Sequence, residues 1–234
     1  MHYDDQREKE LLEPWLMQGD CLERMKEIPD GSIDMVLTDP PYKVTSRGGH
    51  TNAGGMMLDD EMRKGKVFKH NKIIINDWLG TLYRVLVESG HCYVMTNNKN
   101  ITEFLKVVDN SEFHLVKCLV WAKDNKIMSQ AYMSQFEYIL FLRKGKFKKI
   151  NNCGTSDLIH AKNPKNKIHP TQKPVELMEV LISNSSNEGD TILDPFMGAG
   201  SAGLAAKNLN RKFIGIELDE NYFNIAKTRI TGEE

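Results

Sequence analysis

Asp39-Pro40-Pro41-Tyr42 places an acid, two imino acids and an aromatic ring in consecutive positions. Paired prolines have fixed φ and no N–H, so they form a stiff platform that exposes a carbonyl and sets the directions of Asp39 and Tyr42. That combination suits a planar amine. Asp39 and the Pro40 carbonyl can each accept one hydrogen from an exocyclic base amine, while Tyr42 stacks on the ring. A plain rigid turn would account for the prolines but not for the acid before them or the ring after them.

A second group lies far downstream, in Asp194-Pro195-Phe196-Met197-Gly198-Ala199-Gly200-Ser201-Ala202-Gly203. Gly198, Gly200 and Gly203 satisfy G-x-G-x-x-G, a spacing that lets a ligand approach the backbone beside a helix N-terminus. The strand after it ends in Glu217, 19 positions beyond Gly198, where a carboxylate can accept hydrogen bonds from ribose hydroxyls. Together they indicate an adenosine-type cofactor. Asp194, just before the loop, favours one that carries a positive group. An NAD-binding oxidoreductase meets the same fingerprint, but dinucleotide folds usually begin with it, and here little more than a helix, a strand and a final helix remain.

Positioning these groups requires a sheet. Ile33 to Thr38 reads as a short strand running from a Pro-Asp-Gly turn into the two prolines, and similar strands are expected at 15–18, 91–96, 114–121, 136–142, 191–194 and 212–218. Helical periodicity is best at 21–28, 77–88, 100–108, 174–183, 201–209 and 220–230. Alternating strands and helices predict one α/β domain spanning 1–234, with a mainly parallel seven-stranded sheet covered on both faces. Residues 43–72 and 143–168 interrupt the alternation. The first, with its glycine pairs and basic residues, reads as a mobile basic insert, and the second, rich in Lys and Asn, as a small insert of its own.

The composition, 40% hydrophobic and 27% charged over 234 residues, is that of a globular chain. No apolar stretch approaches the roughly 18 residues of a membrane span. The acidic, polar N-terminus differs from a secretory signal, so a cytoplasmic protein with no membrane association is expected. Cys21, Cys92, Cys118 and Cys153 form no CxxC pair and read as reduced, mostly structural thiols. His2, His50, His70 and His160 have no metal-site spacing, and no metal is expected. The net charge of −1 hides an asymmetry: residues 123–173 carry eleven bases against three acids. That segment can face a polyanion, although a solvated lysine-rich surface explains the charge equally well.

The sequence resembles the amino-methyltransferases of DNA, in particular the circularly permuted β-group in which the catalytic motif precedes the cofactor loop. Asp39-Pro40-Pro41-Tyr42 matches their catalytic motif, and Asp194 to Ser201 is similar to their S-adenosylmethionine loop. His169-Pro170-Thr171-Gln172-Lys173-Pro174 is similar to the segment leading into the helix before that loop. Gly19-Asp20 matches the position that contacts the adenine of the cofactor, and Glu217 falls at the ribose-binding acid. The likeness runs from about Leu16 to Ala226, with the motifs in order.

The resemblance implies a Rossmann-like S-adenosylmethionine-dependent fold with permuted motif order, in which the strands ending at Asp20 and Glu217 are neighbours. It implies Asp39, Pro40, Pro41 and Tyr42 as catalytic. Asp20, Asp39, His169, Thr171, Lys173, Asp194, Pro195, Phe196, Gly198, Gly200, Ser201 and Glu217 would bind S-adenosylmethionine. The substrate implied is double-stranded DNA, with the target base flipped out and methylated on the N6 amine of adenine. Asp before Pro-Pro-Tyr resembles the adenine enzymes, whereas N4-cytosine enzymes more often have Ser. Cytosine N4, adenine in RNA, the NAD-dependent oxidoreductase and a catalytically silent nucleic-acid-binding module are the alternatives. Trp121-Ala122-Lys123 and the segment to Tyr138 resemble the region lining the base pocket. Tyr132 is read there as a second wall or, better, as a core or lid aromatic. Target recognition would fall to 143–168, helped by the 43–72 insert. A homodimer and a cognate restriction endonuclease are conceivable partners.

Overall fold

The computed structural model describes residues 13–41, 73–127, 131–165 and 172–233. Tyr42, His169, Thr171 and the 43–72 insert lie outside the described residues.

Eight strands among the described residues form one sheet in the order β1-β8-β7-β2-β3-β5-β4-β6. They are β1 (Trp15–Gln18), β2 (Ile33–Thr38), β3 (Leu86–Thr96), β4 (His114–Ile127), β5 (Ser134–Arg143), β6 (Leu158–His160), β7 (Thr191–Asp194) and β8 (Lys212–Glu217). Pairing is parallel from β1 through β8, β7 and β2 to β3. Only β5 runs against its neighbours, β3 and β4. The parallel pairs bury both faces, and the strands accordingly read as near-continuous apolar runs such as Met35-Val36-Leu37.

The helices are α1 (Cys21–Arg24), α2 (Ile75–Val85), α3 (Ile101–Asp109), α4 (Val175–Ser185), α5 (Ser201–Asn208) and α6 (Glu220–Thr231). One face of the sheet carries a core of Met25, Trp78, Leu79, Leu82, Phe104 and Val108 from the α1–α3 side. The other carries Leu177, Met178, Leu181, Ala205, Ala206, Ala226 and Ile230 from α4, α5 and α6. In α2 the buried residues Ile75, Trp78, Leu79, Leu82 and Val85 recur at helical spacing along one stripe. Asp219 starts α6 by accepting the N–H groups of Asn221 and Tyr222, and Gly232 at φ 82° ends it.

The α/β class, the predominantly parallel sheet and the helices on both faces are as expected, with three local differences. The sheet gains an eighth strand over the expected seven: β6 pairs with β4 from within 143–168. At three residues with a single buried side chain, Ile159, it is too short to show a period. The expected helix 77–88 ends at Val85, because Ser89 at φ 63° leaves the helical region and Leu86 already pairs with Ile33. The stretch 21–28 divides into α1 and a tight turn over Met25–Glu27. Among the described residues no helix is long and apolar enough to cross a membrane.

Candidate active site at the carboxyl edge of the sheet

Four acids line the carboxyl ends of four adjacent parallel strands. Asp20 follows β1, Glu217 ends β8, Asp194 ends β7 and Asp39 follows β2, in the spatial order of the sheet. Neighbouring strands are about 4.8 Å apart, so groups separated by up to 197 positions of sequence share one edge. Gln18 pairs with Glu217, which makes the strands of Asp20 and Glu217 neighbours.

Glu217 organises the glycine loop. Its Oε2 accepts the Gly198 N–H at 2.9 Å and its Oε1 accepts the Asp219 N–H at 2.9 Å. Burial raises the carboxyl from its ordinary value against the pull of these bonds. Gly198 and Gly200 take φ 52° and 75°, a region L side chains rarely adopt, and Gly200 caps α5. Gly203 serves packing: a Cβ there would stand 2.4 Å from Ile230 Cδ1 and 2.7 Å from Phe213 Cε1. Pro195 is buried, and Phe196 packs edge-on against Trp78 of α2 at 5.5 Å.

Asp194 is buried and accepts the Thr38 hydroxyl at 2.8 Å and the Phe196 N–H at 3.1 Å on Oδ1. Burial pushes its carboxyl up to about 7, with Asp39 and Glu217 adding repulsion. Asp20 caps α1, its Oδ1 accepting the Leu22 N–H at 2.8 Å, and the Gly19 N–H donates to the Glu217 carbonyl at 2.9 Å.

Lys173 Nζ lies 2.5 Å from Asp39 Oδ2 and 3.2 Å from Glu137 Oε2. Glu137 Oε1 in turn pairs with Lys123, whose ammonium sits 4.8 Å from the centre of the Trp121 ring. The Ser201 hydroxyl donates to the Lys173 carbonyl at 2.9 Å, tying this cluster to the start of α5. Burial raises Asp39 and outweighs the opposing Lys173 charge. Burial would raise Glu137 too, but Lys173 and Lys123 together hold it below its usual value. Asp39 Oδ1 is buried and has no hydrogen-bond partner among the described residues. Pro40 is buried behind Asp39 and Pro41 half-buried.

The edge therefore brings together Asp20, Asp39, Pro40, Pro41, Lys173, Asp194, Pro195, Phe196, Gly198, Gly200, Ser201 and Glu217. Lys173, read from sequence as a cofactor residue, sets its ammonium on Asp39. Tyr132 is 94% exposed at the β4–β5 hairpin, which rules out the core reading. The sequence places Lys123, and Glu137 within the segment to Tyr138, in a region resembling the base-pocket lining but gives neither a role of its own, and it does not single out Thr38. The first two face the site through the antiparallel register that sets Trp121 opposite Glu137, which no motif encodes.

A row of acids that runs from exposed Asp20 through half-buried Glu217 to buried Asp194 and half-buried Asp39, beside a glycine loop, suits a ligand with hydroxyls and a positive centre, and the Asp39 Oδ1 left without a hydrogen bond among the described residues suits an N–H donor. The model of a family described as DNA methylase matches residues 33–228. The Type II methyltransferase M.HinfI of Haemophilus influenzae is 30% identical over 92% of this chain and 67% of its own length. The Type II methyltransferase M2.DpnII of Streptococcus pneumoniae is 29% identical over 93% and 90%. Among solved structures, the M1.HpyAVI-SAM complex superposes with a TM-score of 0.71 at 26% identity, over 93% of this chain and 100% of that one. The cytosine-N4-specific PvuII DNA methyltransferase shares the fold, with a TM-score of 0.71 at 19% identity over 92% and 85%.

Proposed function

The chain belongs to the DNA methylase family, and from that premise we propose that it transfers a methyl group from S-adenosylmethionine to the N6 amine of adenine in DNA. The observation that carries the reading is Asp39 Oδ1, a buried acceptor without a donor among the described residues, next to the glycine loop at the sheet's carboxyl edge. In this reading Glu217 takes the ribose hydroxyls, Asp20 the adenine and Asp194 the positive charge, which is supported by their shared edge of the sheet and by the positive φ of Gly198 and Gly200, which lets a ligand approach closely. When bound, S-adenosylmethionine supplies a methyl group activated by its sulfonium.

The chain's own task is to orient and desolvate the acceptor amine. Asp39 and the Pro40 carbonyl accept its two hydrogens, favour lone-pair localisation on nitrogen and stabilise the positive charge that develops there. Tyr42 stacks on the ring. Extruding the base from a duplex costs a few kcal/mol, offset by stacking and pocket contacts. Asp in front of Pro-Pro-Tyr supports adenine over cytosine. Basic residues of 143–168, aided by the 43–72 insert, would contact DNA, where phosphate contacts supply affinity without sequence information.

Incubation with S-adenosylmethionine and unmethylated DNA, with RNA in parallel, followed by nucleoside mass spectrometry, tests this. N6-methyladenine in DNA alone is the expected product. N4-methylcytosine would move the base assignment and keep the mechanism, whereas transfer only to RNA would overturn the substrate.

A further inference from the structure

Lys123, Glu137, Lys173 and Asp39 form one alternating row of cations and anions. Their side chains retain only 6% to 18% of their accessible surface, and the charges balance. We propose that Glu137 is a positioning residue for the methyl transfer: it shares the Lys173 ammonium with Asp39 and so keeps Asp39 Oδ1 open for the target amine. The inference rests on the methyl-transfer reading above.

An ammonium held between two carboxylates neutralises each less completely than it would neutralise one. Lys173 engages Asp39 through Oδ2, leaving Oδ1 buried and without a partner among the described residues. Buried polar oxygens are ordinarily hydrogen-bonded, and an amine N–H completes this one. The lysine is anchored at its other end by the Ser201 hydroxyl on its carbonyl, and Glu137 is anchored by Lys123.

During transfer the nitrogen lone pair forms the N–C bond while the C–S bond breaks and its electron pair stays on sulfur. The positive charge passes to nitrogen, which then sheds a proton to Asp39 Oδ1. A carboxylate neutralised wholly by Lys173 would be a poorer acceptor and base. Among the described residues the charged groups around Asp39 are Lys173 from the segment before α4, Glu137 on β5, Lys123 on β4 and Asp194 at the end of β7. Of these, Glu137 is the one that also holds Lys173, and its negative charge keeps Asp39 basic.

The test compares wild type, Glu137→Gln and the double variant Lys123→Gln/Glu137→Gln, which strands no buried lysine. The readouts are kcat against pH on DNA and the cofactor Kd by calorimetry. We expect kcat near neutrality to fall about tenfold, the acid limb to move to lower pH, and the cofactor Kd to stay within about twofold in both variants. Glu137→Asp should recover most of kcat. Variants that melt earlier yet keep the wild-type pH profile would overturn the proposal and leave Glu137 a structural residue. If wild type transfers no methyl to DNA, the underlying reading falls; an active wild type with an unmoved acid limb in the variants overturns the Glu137 inference alone.

Discussion

The Thr38 hydroxyl donates to Asp194 Oδ1 at 2.8 Å, joining the strand that leads into Asp39-Pro40-Pro41 to the strand that leads into the glycine loop, 156 positions later. Asp194, Asp39 and Glu217 are each held by a group from another part of the chain, whereas Asp20 is held locally by the Leu22 N–H, and the electrostatics of the two loops are coupled.

Asp194 makes stability depend on pH. Its carboxyl rises from an ordinary 3.8 to about 7 in the folded protein, so the native state binds the proton more tightly than the unfolded one. The stabilisation is complete below the unfolded value and disappears as pH rises through 7. Asp194→Asn, neutral throughout and able to accept the same bonds, should gain about 3 kcal/mol on wild type between pH 5 and pH 8. Urea unfolding of both proteins at the two pH values measures this, and parallel stabilities would refute it.

Asp39→Ala should lower kcat by about 10²-fold or more, since both the acceptor for the amine and the neighbouring negative charge disappear. Cofactor affinity should remain within about threefold, because Glu217 and the glycine loop are untouched. Single-turnover transfer and calorimetry on the same preparation separate the two effects. Unchanged turnover would remove Asp39 from the chemistry.

Glu217→Ala should act the opposite way. It deprives the Gly198 and Asp219 N–H groups of a charged acceptor, and bonds to charged groups are worth about 1.5–3 kcal/mol each. The cofactor Kd should rise by roughly 10- to 100-fold, with kcat at saturating cofactor close to wild type. A Kd that stays put would show that the loop holds its shape and the ligand without this acid.

Gly203→Ala tests the division of labour within the glycine motif. The added Cβ meets Ile230 and Phe213, and overpacking of this kind costs about 1–3 kcal/mol. A fall in Tm of roughly 2–10 °C is expected for a chain of this size, with cofactor affinity unchanged in the folded variant. Loss of affinity without loss of Tm would place Gly203 at the ligand.

What the sequence discloses is what local chemistry dictates. Pro40-Pro41 can only be a rigid turn, Gly198 and Gly200 are needed where φ is positive, and Asp219 caps a helix wherever one follows. Glu137 is different. On the page it is one acid in a basic stretch, and its role depends on an antiparallel pairing that brings β5 between β3 and β4 and on a lysine 36 positions away. Lys173 was legible as a site residue, but its partner, 134 positions distant, was not. The helix expected to reach residue 88 failed for a related reason. Leu82, Val85 and Leu86 fall at helical spacing, yet the parallel partner Ile33 claims Leu86 for the sheet.

The pairing of β1 with β8 also bears on how the protein is made. Gln18 donates to the Leu218 carbonyl across 200 positions, and Trp15 to Gln18 find their only sheet neighbour among the described residues in β8. Contacts of such separation close late, because the entropy of a long loop must be overcome before they form. During vectorial synthesis the strand carrying Asp20 waits, edge unpaired, until the ribosome has delivered β8. The nascent chain can pair β2 with β3 and present Asp39 well before Glu217 and the strand that carries it exist, so the row of acids at the sheet's edge is completed only when β8 is home.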